Sequence, residues 1–333
     1  MDSAARNFLA LVGTCAVLGA YAVWGFLAYV AIPLIGIISG PFSRLPPTGA
    51  LPALILTLLL AVSVGLASTT LHRQISASRR LSRHIQASAL PPTAELRAAA
   101  GRCGLVGRVA LVDSGEPFSF VYGFLAPRVA ISGGFLDSLT PEELRATLAH
   151  ERYHVRSLDP CRTLLAKVLS EAFFLLPSLK VLCARYEVAR ELAADRCAEQ
   201  RYGRRPLVSA LLKALEGSGW QEPAVGASLA SSVLLSARLS HLETGQMPPL
   251  EVASHSSMAW SALGAIAFLS VFLSSMIGLG GTSALLRAAS YELSETGVLL
   301  DVLCAAPILA LAFSYWMLTR RAGQPLSSTV PHP

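Results

Sequence analysis

Residues 139–160 of the chain read LTPEELRATLAHERYHVRSLDP, and this stretch decides what the chain can fold into. Thr140 can cap a helix, Pro141 suits the first helical position, and Glu143, three residues after the cap, completes a capping box. These signals predict a helix that starts here and runs to about Ser157.

The predicted helix carries an HExxH motif formed by His150, Glu151 and His154. Side chains four positions apart lie one above the other on a helix, so both imidazoles can reach a single ion while Glu151 stands beside it. Zinc suits this pair, because a catalytic zinc ion takes three protein ligands and keeps a fourth position for water. A face with two histidines can also simply be solvated, so a third ligand has to decide.

The metzincin ligand pattern is excluded, because it requires a histidine where Pro160 stands. The run RELAADRCAE instead offers Glu191, with Asp195 one helical turn further on. Glu191 can coordinate the ion while Asp195 accepts a hydrogen bond from the free ring nitrogen of a liganding histidine, which we expect to be His150. Glu187, one turn before Glu191, is the competing and weaker third ligand.

The composition of the chain indicates a membrane protein. Of its 333 residues, 53% are hydrophobic and only 14% are charged, whereas soluble domains carry about 25% charged residues. Four apolar stretches reach the roughly 20 residues that a helix needs to cross the hydrocarbon core. They lie at approximately 8–31, 51–71, 258–279 and 298–318.

Arginines follow the second and fourth apolar stretches directly, which assigns both flanks to the cytoplasm. They also explain the net charge of +6 without nucleic acid, since no nucleic-acid-binding motif accompanies them. The chain is therefore predicted to be a multi-pass protein whose central domain faces the cytoplasm. Its predicted parts are an N-terminal transmembrane hairpin (1–71), a cytoplasmic metalloprotease domain (72–250), a C-terminal transmembrane hairpin (251–319) and a disordered cytoplasmic tail (320–333).

The central domain combines helices with a small β-sheet, and we expect an α+β, zincin-like fold. The apolar stretch 164–182 is interrupted by charged residues and a proline, so it is predicted as an interfacial or core helix, with its entry into the membrane left open. Further helices are predicted at 94–102, 183–202, 206–215 and 228–242, and strands at 109–113, 118–124 and 128–132.

One predicted strand precedes the motif helix as an edge strand would, and a peptide substrate can add to such an edge through backbone hydrogen bonds. An ordinary internal strand fits the sequence equally well. The residues concerned are Phe118, Ser119, Phe120, Val121, Tyr122 and Gly123.

A developing oxyanion needs a second donor beside the metal, and Tyr186, Arg190 and Arg196 are candidates by position.

Three stretches together resemble one family of proteins: PFSFVYGFLAPRVAIS at 117–132, the motif helix at 139–160, and RELAADRCAE at 190–199. They look like the membrane metallopeptidases of the bacterial β-lactam sensor-transducers, the BlaR/MecR type. These are gluzincin-like, with HExxH and ExxxD motifs, and more distantly similar to HtpX-type and CAAX-prenyl-type proteases.

The resemblance implies one zinc ion per chain, with His150, His154 and Glu191 as its ligands. It also implies that Glu151 is the general base, that Asp195 is an outer partner, and that the chain lies in the bacterial inner membrane. The chain ends about 15 residues after its fourth predicted span, where the β-lactam receptors carry a penicillin-binding domain. We therefore do not expect a β-lactam sensing role.

The predicted function is that of a membrane-embedded zinc metalloendopeptidase in regulatory proteolysis or signal transduction. Its substrate would be a cytosolic or membrane-bound protein or peptide, and the oligomeric state is left open. The alternative is a catalytically silent, metal-binding membrane scaffold or regulator. A transporter or channel is disfavoured, because the four predicted spans contain almost no charged residue.

Overall fold

The computed structural model describes residues 3–26, 47–216, 230–244, 256–257, 259–266 and 268. The chain divides into two compact units. One consists of Met1–Phe8, Ser68–Val168 and Ala184–Pro248, and the other of Leu9–Ala67, Leu169–Cys183 and Pro249–Pro333. The predicted domain limits are not tested by this division and stay a prediction.

The first unit contains a four-stranded mixed sheet. Its strands are β1 (Ala89–Leu90), β2 (Val109–Val112), β3 (Ser119–Tyr122) and β4 (Arg128–Ser132). Their order is β1-β2-β4-β3, with β2 parallel to β4 and the two outer pairs antiparallel. The prediction of a small sheet is confirmed, and β3 is an edge strand of that sheet.

Helices make up most of the described chain. The helices α1 (Ser3–Phe26) and α2 (Pro47–Ala87) precede the sheet, α3 (Ala94–Arg102) lies between β1 and β2, and α4 (Gly133–Ser138) follows β4. The remaining helices are α5 (Pro141–Arg156), α6 (Asp159–Ala172), α7 (Pro177–Tyr202), α8 (Arg204–Glu216) and α9 (Ala230–Thr244).

The start of α5 is fixed by the capping box that the sequence predicts. The backbone N–H of Glu143 donates to Thr140 Oγ1 across 3.3 Å, and the Thr140 N–H donates to Glu143 Oε2 across 2.8 Å. Pro141 occupies the first helical position, where its missing N–H would have had no helical partner. The helix ends at Arg156, one residue before the predicted end.

Helix α5 is buried on two sides, which makes it the central element of the unit. On one side, Leu144 and Leu148 pack with Val129 and Ile131 of β4. On the other, small side chains allow close approach of the neighbouring helices. This second cluster consists of Ala146 and Ala149 of α5, Ala198 of α7, Leu207 of α8 and Leu242 of α9.

The apolar stretch 164–182, predicted as one helix, is divided between two helices. Helix α6 ends at Ala172, and α7 begins at Pro177 rather than near residue 183. Proline cannot continue a helix from the residues before it but is well suited to begin one. The predicted boundary near 183 is therefore wrong by six residues, since 183 minus 177 is 6.

Among the described residues, one helical stretch is long and apolar enough to cross a membrane, at Ile55–Ala87 within α2. Only 6% of its most apolar part is buried, and Leu58 exposes 62% of its surface. The helix continues beyond the predicted span 51–71 into the arginine-rich stretch. Helix α1 contains a shorter apolar stretch, Ala4–Ala20.

The predicted span 298–318 and the tail 320–333 lie outside the described residues, as does most of 258–279, so the four-span arrangement stays a prediction.

Within the second unit, polar and close contacts join its segments. The Ser63 hydroxyl donates to the Ala172 carbonyl across 2.6 Å, and the Ser178 N–H donates to Ser261 Oγ across 2.9 Å. A Cβ atom at Gly264 would collide with the Leu175 carbonyl oxygen, so only glycine fits at this close approach.

Candidate metal centre

Three potential ligands converge on one point between α5 and α7. The Nε2 atoms of His150 and His154 lie 3.1 Å apart, and Glu191 Oε2 lies 3.4 Å from the first and 3.6 Å from the second. All three residues are buried. Ligand atoms bonded to a tetrahedral zinc ion at about 2.1 Å stand about 3.4 Å from one another. The three ligand atoms of the side chains that the sequence singled out are thus spaced like three corners of such a tetrahedron.

A carboxylate stands behind each imidazole. Nδ1 of His154 lies 2.6 Å from Asp159 Oδ2. Nδ1 of His150 lies 2.9 Å from Asp195 Oδ1, an ion-pair distance at which the ring is not angled for a directed hydrogen bond. A carboxylate beside Nδ1 favours the proton on that nitrogen, which leaves the lone pair of Nε2 available at the common point. The structure thus brings Asp195 to His150, the histidine that the sequence analysis named.

The chemistry of these donors suits a bound cation. Two Nε2 lone pairs and a carboxylate oxygen repel one another at such short distances unless positive charge lies between them. The pKa of His154 reflects the same preference for positive charge. Burial acts to lower this pKa, but the charge of Glu191 and the hydrogen bond to Asp159 raise it to about 9. In the same way, burial opposes a low pKa at Glu191, yet the charges of His154 and Arg190 hold it well below its usual range. Two nitrogens and one oxygen suit zinc.

Glu191 is oriented by an arginine beside it. Arg190 Nη2 donates to Glu191 Oε1 across 2.9 Å and Arg190 Nη1 donates to Thr163 Oγ1 across 2.7 Å. This leaves Glu191 Oε2 facing the histidines. The competing ligand Glu187 pairs instead with Lys167, 3.4 Å away, and is not part of the ligand cluster.

The three candidate oxyanion donors have different surroundings. The Tyr186 hydroxyl is buried 3.5 Å from Asp159 Oδ1, and burial raises its pKa. Arg190 is committed to Glu191 and Thr163. Arg196 is half-buried and, among the described residues, forms no ion pair with a ligand. The donor role of each stays a prediction.

Glu151 is buried beside the ligands and is contacted from the sheet. The Ser119 hydroxyl donates to Glu151 Oε1 across 3.0 Å. Side chains alternate along β3, so Ser119 and Val121 face α5 while Phe120 and Tyr122 pack near Ile85 of α2. The predicted substrate-binding segment therefore has one side chain on the candidate general base. It ends at Gly123, whose φ of +87° suits glycine.

Two site residues were missed by the sequence analysis. One is Asp159, described above. The other is Arg238 of α9, whose Nε and Nη2 donate to the two oxygens of Asp195 across 2.8 and 2.7 Å. The third guanidinium nitrogen, Nη1, lies 3.9 Å from Glu191 Oε2.

The model of the BlaR1 peptidase M56 family matches residues 46–242, well over half of the chain. The chain belongs to this family. No curated protein matches this M56 peptidase, and no solved structure does.

Membership confirms the family that the sequence resembles, and it assigns the chain to a family of peptidases. The matched range of this M56 peptidase includes the ligand cluster, Glu151, β3 and Arg238. The long apolar helix α2 agrees with the membrane association of the family.

Proposed function

We propose that this M56 peptidase is a membrane-embedded zinc metalloendopeptidase, multi-pass in the bacterial inner membrane and with its site facing the cytoplasm. One observation carries the proposal. Nε2 of His150, Nε2 of His154 and Oε2 of Glu191 meet at tetrahedral spacing, and Glu151, the residue after His150, is buried in the same helix. The convergence of three buried donor atoms on one point supports a metal-binding role over a purely structural one.

His150, His154 and Glu191 would hold one zinc ion. When bound, the ion supplies Lewis-acid chemistry, polarising the scissile carbonyl and lowering the pKa of water from about 15.7 to about 7. Glu151 accepts a proton as water attacks the peptide carbonyl and returns it to the leaving amine. The Ser119 hydroxyl holds Oε1 of that carboxylate, so the second oxygen is the one available for the proton.

The substrate in this proposal is a protein or peptide, cytosolic or membrane-bound, cleaved in regulatory proteolysis or signal transduction. Strand β3 lies at the edge of the sheet, next to the Glu151 that it contacts. An extended peptide that pairs with this edge would pass in front of the general base. The backbone then provides affinity with little dependence on the substrate side chains.

The substitution Glu151→Gln tests the proposal. The full chain purified in detergent is expected to keep its zinc, measured by elemental analysis, and its melting temperature. Cleavage of a casein or peptide-library substrate is expected to fall by about 100-fold or more. The exposed Glu142 on the same helix offers a matched control, and Glu142→Gln is expected to retain activity.

Other outcomes separate the alternatives. A Glu151→Gln variant as active as the parent would reject the proposed general base. A parent that binds zinc but cleaves no substrate would support a silent metal-binding scaffold. Replacing His150 or His154 by alanine is expected to abolish zinc binding, and unchanged zinc content would refute the ligand assignment.

A further inference from the structure

A half-buried arginine from a distant helix contacts the site. Arg238 lies on α9, and its side chain is 17% exposed while that of Asp195 is fully buried. The two form a pair with two parallel hydrogen bonds, 2.8 and 2.7 Å long. Such a fork fixes the plane of a carboxylate, which a single contact does not.

Asp195 stands between this arginine and a metal ligand. Its Oδ1 atom accepts from Arg238 Nη2 at 2.7 Å and also lies 2.9 Å from Nδ1 of His150. Because Oδ1 is shared between the guanidinium and the ring, the orientation of the carboxylate affects the direction of the imidazole. Without the guanidinium, the Asp195 carboxylate would be free to rotate about its Cβ–Cγ bond, and the imidazole ring of His150 would turn with it.

We propose that Arg238 is a positioning residue of the metal centre, acting through Asp195 to hold His150 with Nε2 directed at the ion. The inference rests on the proposed metal site and adds to it a residue that does not touch the metal. Arg238 is also held from outside the site, because Leu242 on the same helix packs against Ala146, Ala149, Ala198 and Leu207.

Arg238 also has an electrostatic effect on zinc affinity, and this effect is opposite in sign to that of positioning. Its Nη1 lies 3.9 Å from Glu191 Oε2, so its positive charge repels a cation bound there. If Arg238 acted through its charge alone, removing it would strengthen zinc binding. If it acts by positioning, removing it weakens zinc binding, since loss of an outer partner of a ligating histidine reduces affinity by about 10- to 100-fold.

The experiment measures zinc affinity of the full chain in detergent, after removal of metal, by competition with a chelating dye. Arg238→Gln is expected to lower the affinity by about 10-fold or more. Arg238→Lys keeps the charge but not the fork, so it is also expected to bind zinc more weakly than the parent. The absorption spectrum of the cobalt-substituted protein should change in both variants, because it reports ligand geometry.

Arg204→Gln is the matched control, because Arg204 forms an ion pair with Glu199 at 2.9 Å that does not involve the ligands. It is expected to leave zinc affinity unchanged. Leu242→Ala tests the packing of α9 separately. It should lower the melting temperature with only a small change in zinc affinity.

A double-variant comparison tests whether the effect passes through Asp195. In an Asp195→Asn background, Arg238→Gln is expected to have little further effect on zinc affinity. Parent-like or higher affinity in both Arg238 variants would overturn the inference, and so would fully additive losses in the double variant. A parent that binds no zinc would instead overturn the metal centre itself, so the two failures are distinguishable.

Discussion

The Ser119 hydroxyl donates a hydrogen bond to Oε1 of Glu151 across 3.0 Å, joining the edge strand of the sheet to the candidate general base. The contact crosses from β3 to α5, the two elements that would meet the substrate and carry out the proton transfer. In the proposed mechanism, the strand that binds the substrate therefore also holds the carboxylate of Glu151 in place.

Ser119→Ala is expected to lower kcat by about 10-fold, since a hydrogen bond to a charged group contributes about 1.5–3 kcal/mol and the lower value corresponds to about one power of ten. KM and zinc content should change little, because the backbone of β3 and the ligands are retained. Steady-state kinetics on a fluorogenic peptide would measure this. Ser119→Thr should restore most of the rate, and Ser114→Ala, which removes an exposed hydrogen bond from the Glu116 N–H, is the control. An unchanged kcat in Ser119→Ala would contradict the role given to the hydroxyl.

Asp159→Asn is expected to weaken zinc binding by about 10- to 100-fold, because Asp159 holds Nδ1 of His154 at 2.6 Å. An amide is a weaker partner for the N–H and can present its own hydrogens to the ring. Chelator competition on the full chain measures the change, with Asp137→Asn, at an exposed position, as control. Equal affinities for Asp159→Asn and the parent would show that this carboxylate does not support the ligand.

The features that could be predicted from sequence are those governed by the geometry of a single helix. The Thr140 capping box, the HExxH pair and the ExxxD pair each span three or four positions, so the fixed rise and rotation of a helix bring their members together. Joining Glu191 to the histidines required one further condition, that zinc takes a third protein ligand.

The partners that could not be predicted depend on the path of the chain between helices. Asp159 lies five positions after His154, which is not a helical neighbour, and the two are separated by a turn in which Leu158 adopts a φ of 54°. Arg238 lies 43 positions from Asp195, and nothing local relates the two residues. Their proximity follows from packing of α9 against α5, α7 and α8, which periodicity does not encode.

Glu191→Gln and Glu187→Gln are expected to separate the two possible third ligands. Glu191→Gln should lose zinc, because an amide replaces the carboxylate whose Oε2 faces both histidines. Glu187→Gln should keep it, losing a partly exposed pair with Lys167 that contributes about 0–1 kcal/mol. Zinc content of the purified variants measures both. Zinc loss in Glu187→Gln with retention in Glu191→Gln would reverse the assignment.

Glu143 is expected to make the stability of the domain depend on pH. Its Oε1 accepts from Ser209 at 2.5 Å, and its Oε2 accepts from Lys213 at 2.6 Å and from the Thr140 N–H at 2.8 Å. Burial acts to raise its pKa, but the hydrogen bonds and the charge of Lys213 lower it to about 2. The folded state therefore favours the ionised form, and this contribution is fully present above the unfolded pKa of about 4.3.

As the pH falls from about 4.3 towards 2, the folded state must take up the proton against these contacts, and the contribution is lost. Glu143→Gln is expected to reduce stability by about 1–3 kcal/mol near neutral pH, through the loss of hydrogen bonds to a charged group. The difference in melting temperature between parent and variant should shrink as the pH is lowered from 6 to 3. Glu142→Gln, exposed on the same turn, should show no such convergence. A difference that stayed constant over this range would mean that the pKa of Glu143 is not lowered by folding.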